Sequence, residues 1–180
     1  MIEESKLIAL LQDEQTRTLA FTQVVNQYKE KLYWQIRRMV MSHEDTDDIL
    51  QNVFIKAWTG LDSFRGDAKL STWLYRIATN ETLNFLERER KSHTSLDDEM
   101  SNIGQQLESD PFFDGDETQR QLQVAIDSLP AKQRQVFTLK YFDEMKYEEM
   151  SQILDTSVGA LKASYHHAVK KIADFFHSLD

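Results

Sequence analysis

Only 5 glycines and 2 prolines occur in 180 residues, where ordinary usage would supply roughly 20 of the two types together. So few breakers, with apolar residues recurring at three- and four-residue spacing, predict an all-α chain. The same scarcity excludes a glycine-rich phosphate loop, and the lack of cysteine excludes disulfide scaffolds, Cys-ligated zinc and iron–sulfur clusters. Hydrophobic residues make up 41% and charged residues 28%, so the chain is neither disordered nor collagenous and can bury one large core or two small ones. No stretch approaches the roughly 20 apolar residues of a membrane span, which argues against membrane insertion. The opening MIEESKLIALLQDE carries acids where a secretory leader carries bases, and a cytoplasmic location is expected.

Charge divides the chain. Residues 1–91 hold 13 basic and 14 acidic side chains, residues 92–118 hold none and 8, and residues 119–180 hold 8 and 8. The net charge of −9 therefore lies almost entirely in SHTSLDDEMSNIGQQLESDPFFDGDE, which mixes Ser, Asp, Gly and Pro without a sustained period. That run reads as an acidic flexible linker over 92–117, joining a helical domain at 1–91 to a second at 118–180.

In the first domain Phe21, Val25, Tyr28, Leu32, Ile36 and Met39 mark one long amphipathic helix ending near Met41. Ser42 to Asp45 can cap the next, whose stripe is Ile49, Leu50, Val53, Phe54, Ala57 and Trp58. Its other face carries Asp45, Asp48, Gln51, Asn52 and Lys56. After Gly60 and a loop containing Phe64-Arg65-Gly66-Asp67, a third helix spans about Ser71 to Arg90, with a polar row at Thr72, Arg76, Asn80, Asn84 and Arg88. Trp73 and Tyr75 stand two apart on it, so both cannot face the core and one ring is left for solvent or a ligand.

The last sixty residues read as four helices. The final pair is joined at Asp155-Thr156 and the last helix, capped by Ser157, has a stripe of Val158, Leu161, Tyr165, Ala168 and Ile172. This is a helix-turn-helix pattern. Lys162, Lys170 and Lys171, with His166 and His167, lie on a helix without an acid between Asp155 and Asp174. Such a helix can offer its first half to a major groove while its later lysines meet phosphates.

The segment LPAKQRQVFTLKYFDEMKYEEMSQILDTSVGALKASYHHAVKKI resembles region 4 of the extracytoplasmic-function branch of sigma-70 transcription initiation factors. DTDDILQNVFIKAW and FRGDAKLSTWLYRIATNETLNFL resemble their region 2. The resemblance implies a two-domain helical protein that binds core RNA polymerase, through the clamp helices of the largest subunit and the flap, and directs it to promoters. It implies that Asp45, Asp48, Gln51 and Asn52 meet polymerase, Asn52 standing where the family more often has Glu. Phe64, Arg65, Trp73, Tyr75, Arg76 and Asn80 would melt the minus-10 element and hold an unpaired base, work that needs stacking surfaces and edge hydrogen bonds. Ser157, Lys162, Ala163, Ser164, His166, His167, Lys170 and Lys171 would face the minus-35 element. Ser164, His167 and Val169 occupy positions where relatives often carry arginine, the usual bidentate reader of guanine, so fewer strong base contacts are expected. Lys146 stands where relatives place a Ser or Thr cap, at a local cost of ~1 kcal/mol unless something compensates.

Metal and catalytic readings find no support in the pattern. His166 and His167 are adjacent and diverge by about 100° on a helix, unlike an i, i+4 zinc pair. Glu44, Asp45, Asp47 and Asp48 lack the glycine and spacing of a calcium loop. No cofactor is expected, and no enzyme; the polymerase would carry the chemistry. An anti-sigma partner is also implied by the resemblance. Two other readings remain open at the level of sequence: a helix-turn-helix regulator that binds DNA without polymerase, and a helical adaptor that binds no DNA.

Overall fold

The computed structural model describes residues 3–92 and 115–179, and every regular element among them is helical. The first half comprises α1 (Glu4–Gln12), α2 (Arg17–Val40), α3 (His43–Gly60), a single 3-10 turn (Leu61–Ser63) and α4 (Leu70–Ser92). The second comprises α5 (Glu117–Asp127), α6 (Ala131–Tyr141), α7 (Tyr147–Leu154) and α8 (Val158–His177). Most of the linker expectation falls on residues 93–114, outside the described residues. At its C-terminal edge Asp116 caps α5, accepting from the Gln119 N–H at 2.9 Å, and Glu117 is the first residue of that helix.

The helices stop where the local chemistry says they should. Met41 adopts a left-handed conformation, φ 64°, and its N–H returns to the Arg37 carbonyl at 3.1 Å, closing α2. Ser42 Oγ accepts from the Asp45 N–H at 3.2 Å and opens α3. Ser157 does the same for α8, accepting from Ala160 N–H at 3.2 Å. At α7 the cap that Lys146 cannot provide is partly replaced, because Glu149 Oε2 accepts from the Lys146 N–H at 3.4 Å.

Helices α2 and α3 run antiparallel, since Phe21 near the start of α2 meets Phe54 and Trp58 near the end of α3, edge to face at 6.4 and 5.1 Å. Helix α4 closes the bundle. Leu32, Ile36, Val53, Ala57, Leu74 and Ala78 are fully buried between the three. Gln35, also buried, donates from Nε2 to Thr79 Oγ1 at 3.0 Å and ties α2 to α4.

The second half has a smaller core of Ala125, Ile126, Leu129, Phe137, Ala168 and Ile172. Phe137 is sandwiched between Tyr165 and Tyr141 at 5.8 and 5.1 Å, with rings nearly parallel. The halves touch. Val136, Leu139, Met150 and Ile153 join the apolar cluster of the first half, and charged groups line the seam around them. Arg38 pairs with Asp143 at 3.0 Å and lies over the Phe142 ring at 4.5 Å. Arg134 Nη1 donates to the Met39 carbonyl at 2.8 Å, and Lys69 faces Glu149 at 3.7 Å.

Candidate nucleic-acid interface

On α3, burial of Ile49, Val53 and Ala57 turns Asp48, Gln51 and Asn52 outward into solvent. Asp45 is half-buried in the first turn, where a carboxylate also complements the helix N-terminus. Trp58, assigned above to the apolar stripe, is 41% exposed, because the stripe ends where α2 begins. Helix α4 adds groups that the sequence reading did not assign to this face: Glu81, Arg88 and Glu89 line one groove with Asp48 and Asn52. Lys56 is held to Glu81 at 2.5 Å across the same groove. The signal lay in the four-residue recurrence of Asn84 and Arg88, read as a single outward row although its far end turns back toward α3.

The loop before α4 and the first turns of that helix bring a second group together. Trp73 stacks on Phe64, centroids 4.7 Å apart and planes 30° from parallel. A Cβ at Gly60 would come within 3.2 Å of Trp73 Cζ2, so glycine leaves room for the edge of the indole beside the end of α3. Phe64 is buried and Trp73 half-buried, so the indole is the accessible partner. Tyr75 is the ring that faces inward: only 8% exposed, its hydroxyl is pushed up to about 12, chiefly by burial and then by the Asp143 carboxylate. Arg65 and Asn80 project into solvent. Arg76 is also exposed, but its guanidinium donates to the Gln152 carbonyl of α7, across the seam.

The third group lies on α8. Leu161, Ala168 and Ile172 are buried, while Lys162, Ala163, His166, His167, Lys170 and Lys171 are exposed along the other side, with Ser164 half-buried between them. Lys162 Nζ sits 5.7 Å from the centre of the Tyr147 ring of α7, on the first turn of the preceding helix. Ser157, its hydroxyl committed to capping, stands exposed at the entry of α8.

Residues 24–92 match Sigma-70 region 2, and residues 119–172 match Sigma-70, region 4. The chain is 37% identical over 157 residues to the ECF RNA polymerase sigma factor SigW of Bacillus subtilis, covering 82% of this chain and 83% of that one. To the ECF RNA polymerase sigma-E factor of Escherichia coli K12 it is 34% identical over 168 residues, covering 85% and 84%. Among solved structures, CnrH in complex with the cytosolic domain of CnrY shares the fold with a TM-score of 0.69, at 22% identity and 97% coverage of both chains. The sigma factor RpoE of Bartonella quintana, bound to the anti-sigma factor NepR, gives 0.65 at 21% identity, covering 87% of this chain and 96% of that one. The chain belongs to the sigma-70 family, in its extracytoplasmic-function branch.

Proposed function

We infer that this protein is a sigma factor that binds core RNA polymerase and directs promoter-specific initiation, with α3 facing polymerase, α4 and its loop opening the minus-10 element, and α8 on the minus-35 element. One observation carries the reading: matches to region 2 and region 4 lie in order on one chain, with Asp48, Gln51, Asn52 and Asn80 of the first half and Lys162, His166, His167, Lys170 and Lys171 of the second exposed beside buried apolar stripes. The exposed acids and amides of α3 suit a basic partner surface. In α4, Trp73 offers a stacking plane and Asn80, about two turns further along, a donor and an acceptor for a base edge. The protein is a regulatory initiation factor; as the polymerase holds the reacting groups, it need not be an enzyme.

A chain with net charge −9 gains little from phosphate neutralisation on its own. Its DNA contacts are therefore made within a complex whose polymerase supplies the positive field, and its site of action is where polymerase and promoter meet, in the cytoplasm. No described helix is long and apolar enough to cross a membrane. An anti-sigma factor is the remaining partner that family membership implies.

Elements named minus-10 and minus-35 lie about 25 base pairs apart, roughly 85 Å of duplex at ~3.4 Å per pair. In this structure α4 and α7 are in contact through Arg76 and Gln152. Promoter binding at both elements therefore requires the halves to separate.

Run-off transcription with core polymerase on a genomic fragment library tests the assignment. Discrete transcripts that need both proteins are expected. A footprint by the free chain would favour an ordinary helix-turn-helix regulator, and no transcript and no footprint in any combination would favour an adaptor.

A further inference from the structure

Helix α1 lies outside the segment that matches region 2, which begins at residue 24. It is nevertheless built into the loop that precedes α4. Leu7 and Leu11 are buried in the core of the first half, which fixes the helix on one side. On a neighbouring face Glu4 and Ile8, one turn apart, both meet the loop. Glu4 Oε1 accepts from the Leu70 N–H at 2.6 Å, a contact between residues 66 positions apart. Ile8 Cγ2 lies 3.7 Å from where a Cβ would stand on Gly66, whose φ of 76° makes it the left-handed corner of the loop. Just beyond α1, Arg17 Nε donates to the Leu11 carbonyl at 3.0 Å while its Nη1 pairs with Asp62 at 2.8 Å, tying the end of α1 to the 3-10 turn.

The reason lies in α4 itself. A helix opens with N–H groups that have no partner within it, normally met by a Ser, Thr, Asp or Asn side chain just ahead. Here the residue before Leu70 is Lys69, which has no acceptor and faces Glu149 instead. The missing acceptor comes from α1. A carboxylate is doubly suited to the position, because it accepts the hydrogen bond and its charge complements the positive end of the helix.

We propose that α1, through Glu4 at Leu70 and Ile8 against Gly66, positions the loop at 64–70 for promoter melting, with Glu4 a positioning residue rather than a DNA contact. The proposal rests on the reading of that loop and of α4 as the minus-10 melting segment. Where the loop is not held, the Phe64–Trp73 stack loses the fixed frame at its C-terminal end, and the free-energy cost of ordering it falls on the moment of DNA opening.

The test uses full-length Glu4→Ala, Glu4→Gln and Asn80→Ala in reconstituted holoenzyme, on a duplex promoter and on the same promoter with its minus-10 region pre-melted. Amide exchange of residues 64–73 is followed in the free proteins. For Glu4→Ala, faster exchange at 69–72 and about a tenfold loss on the duplex template, the equivalent of ~1.4 kcal/mol, are expected, with the pre-melted template and core affinity unchanged. Glu4→Gln, whose amide oxygen still accepts from Leu70, should recover most of the duplex activity. Duplex transcription by Glu4→Ala at the wild-type level, or equal losses on both templates, would overturn the proposal. Asn80→Ala separates the two levels: if it loses duplex activity selectively and Glu4→Ala does not, only the role of α1 fails. Should Asn80→Ala itself show no selective loss, the melting assignment of α4 falls, and the proposal with it.

Discussion

The interior of the first half and the seam between the halves are built from different chemistry. Between α2, α3 and α4, the buried positions are Leu32, Ile36, Val53, Ala57, Leu74 and Ala78, with Gln35 hydrogen-bonded to Thr79 as a polar inclusion. At the seam the apolar patch of Val136, Leu139, Met150 and Ile153 is ringed by Arg38 with Asp143, Arg134 on the Met39 carbonyl, Lys69 with Glu149 and Arg76 on the Gln152 carbonyl. An apolar interior loses its full burial energy when opened, whereas charged groups recover hydration. The apolar patch of the seam also loses burial on opening, but the charged groups ringing it recover hydration, so the halves part there at less cost than the interior of the first half, as contact with two distant promoter elements demands.

Weakening the interior and the seam in turn should give different outcomes. Leu32→Ala, in the interior, should cost about 2–5 kcal/mol, roughly 5–15 °C in Tm, and lower every activity together. Thermal unfolding followed by circular dichroism checks it, and a loss at the level of a surface substitution would contradict the assignment of the core.

Next in size comes a pH effect at the seam. Asp127 is almost fully buried beside Arg134, with Nη1 to Oδ1 at 3.3 Å, and burial raises its carboxyl from 3.8 to about 7 despite the opposing pull of Arg134. The folded chain therefore holds a proton that the unfolded chain has released, so the stability from this group is complete below 3.8 and is lost as pH rises to about 7. Across that window the slope is at most ~1.4 kcal/mol per pH unit. Asp127→Asn should flatten the decline of Tm measured from pH 5 to pH 8.

A smaller effect concerns separation of the halves. Arg38→Met combined with Asp143→Leu replaces a half-buried ion pair by apolar groups of similar size. If this favours the closed seam by about 1 kcal/mol, the open fraction falls roughly fivefold, and promoter-dependent transcription falls with it while Tm holds or rises. Unchanged transcription with a raised Tm would mean that opening of the seam does not limit initiation.

Much of the fold was legible in the sequence because its decisive signals are local. Ser42 and Ser157 cap the helices they precede, and the stripes of α2 and α8 bury Tyr28, Leu32, Ile36, Leu161, Ala168 and Ile172 as their spacing predicts. Helix α1 was not legible: its nine residues give the Leu7 and Leu11 pair and little further period, and Glu3 ahead of it makes no side-chain cap. The start of α4 read one residue late because its acceptor, Glu4, comes from 66 positions away. That Trp73 and Tyr75 diverge followed from helix geometry, but which ring turns inward depended on packing: Tyr75 is buried in an apolar cluster to which the other half contributes Leu139 and Met150. The polar row of α4 likewise hid two destinations, with Arg76 engaged on α7 and Arg88 in the groove beside Asp48. The seam itself joins residues such as Arg38 and Asp143, 105 positions apart, and no periodicity within either half announces it.

Separation of the halves is measurable as a distance. The chain has no cysteine, so Lys29→Cys on α2 and Glu148→Cys on α7, both exposed, take a donor and an acceptor dye at defined places. Lys29 stands about 14 Å along α2 from Arg38, and Glu148 neighbours the seam residue Glu149. High energy transfer is predicted for the free protein, falling to near zero in a holoenzyme bound to a promoter that carries both elements. High transfer that persists in a transcription-competent complex would contradict the separation of α4 and α8 onto two promoter elements.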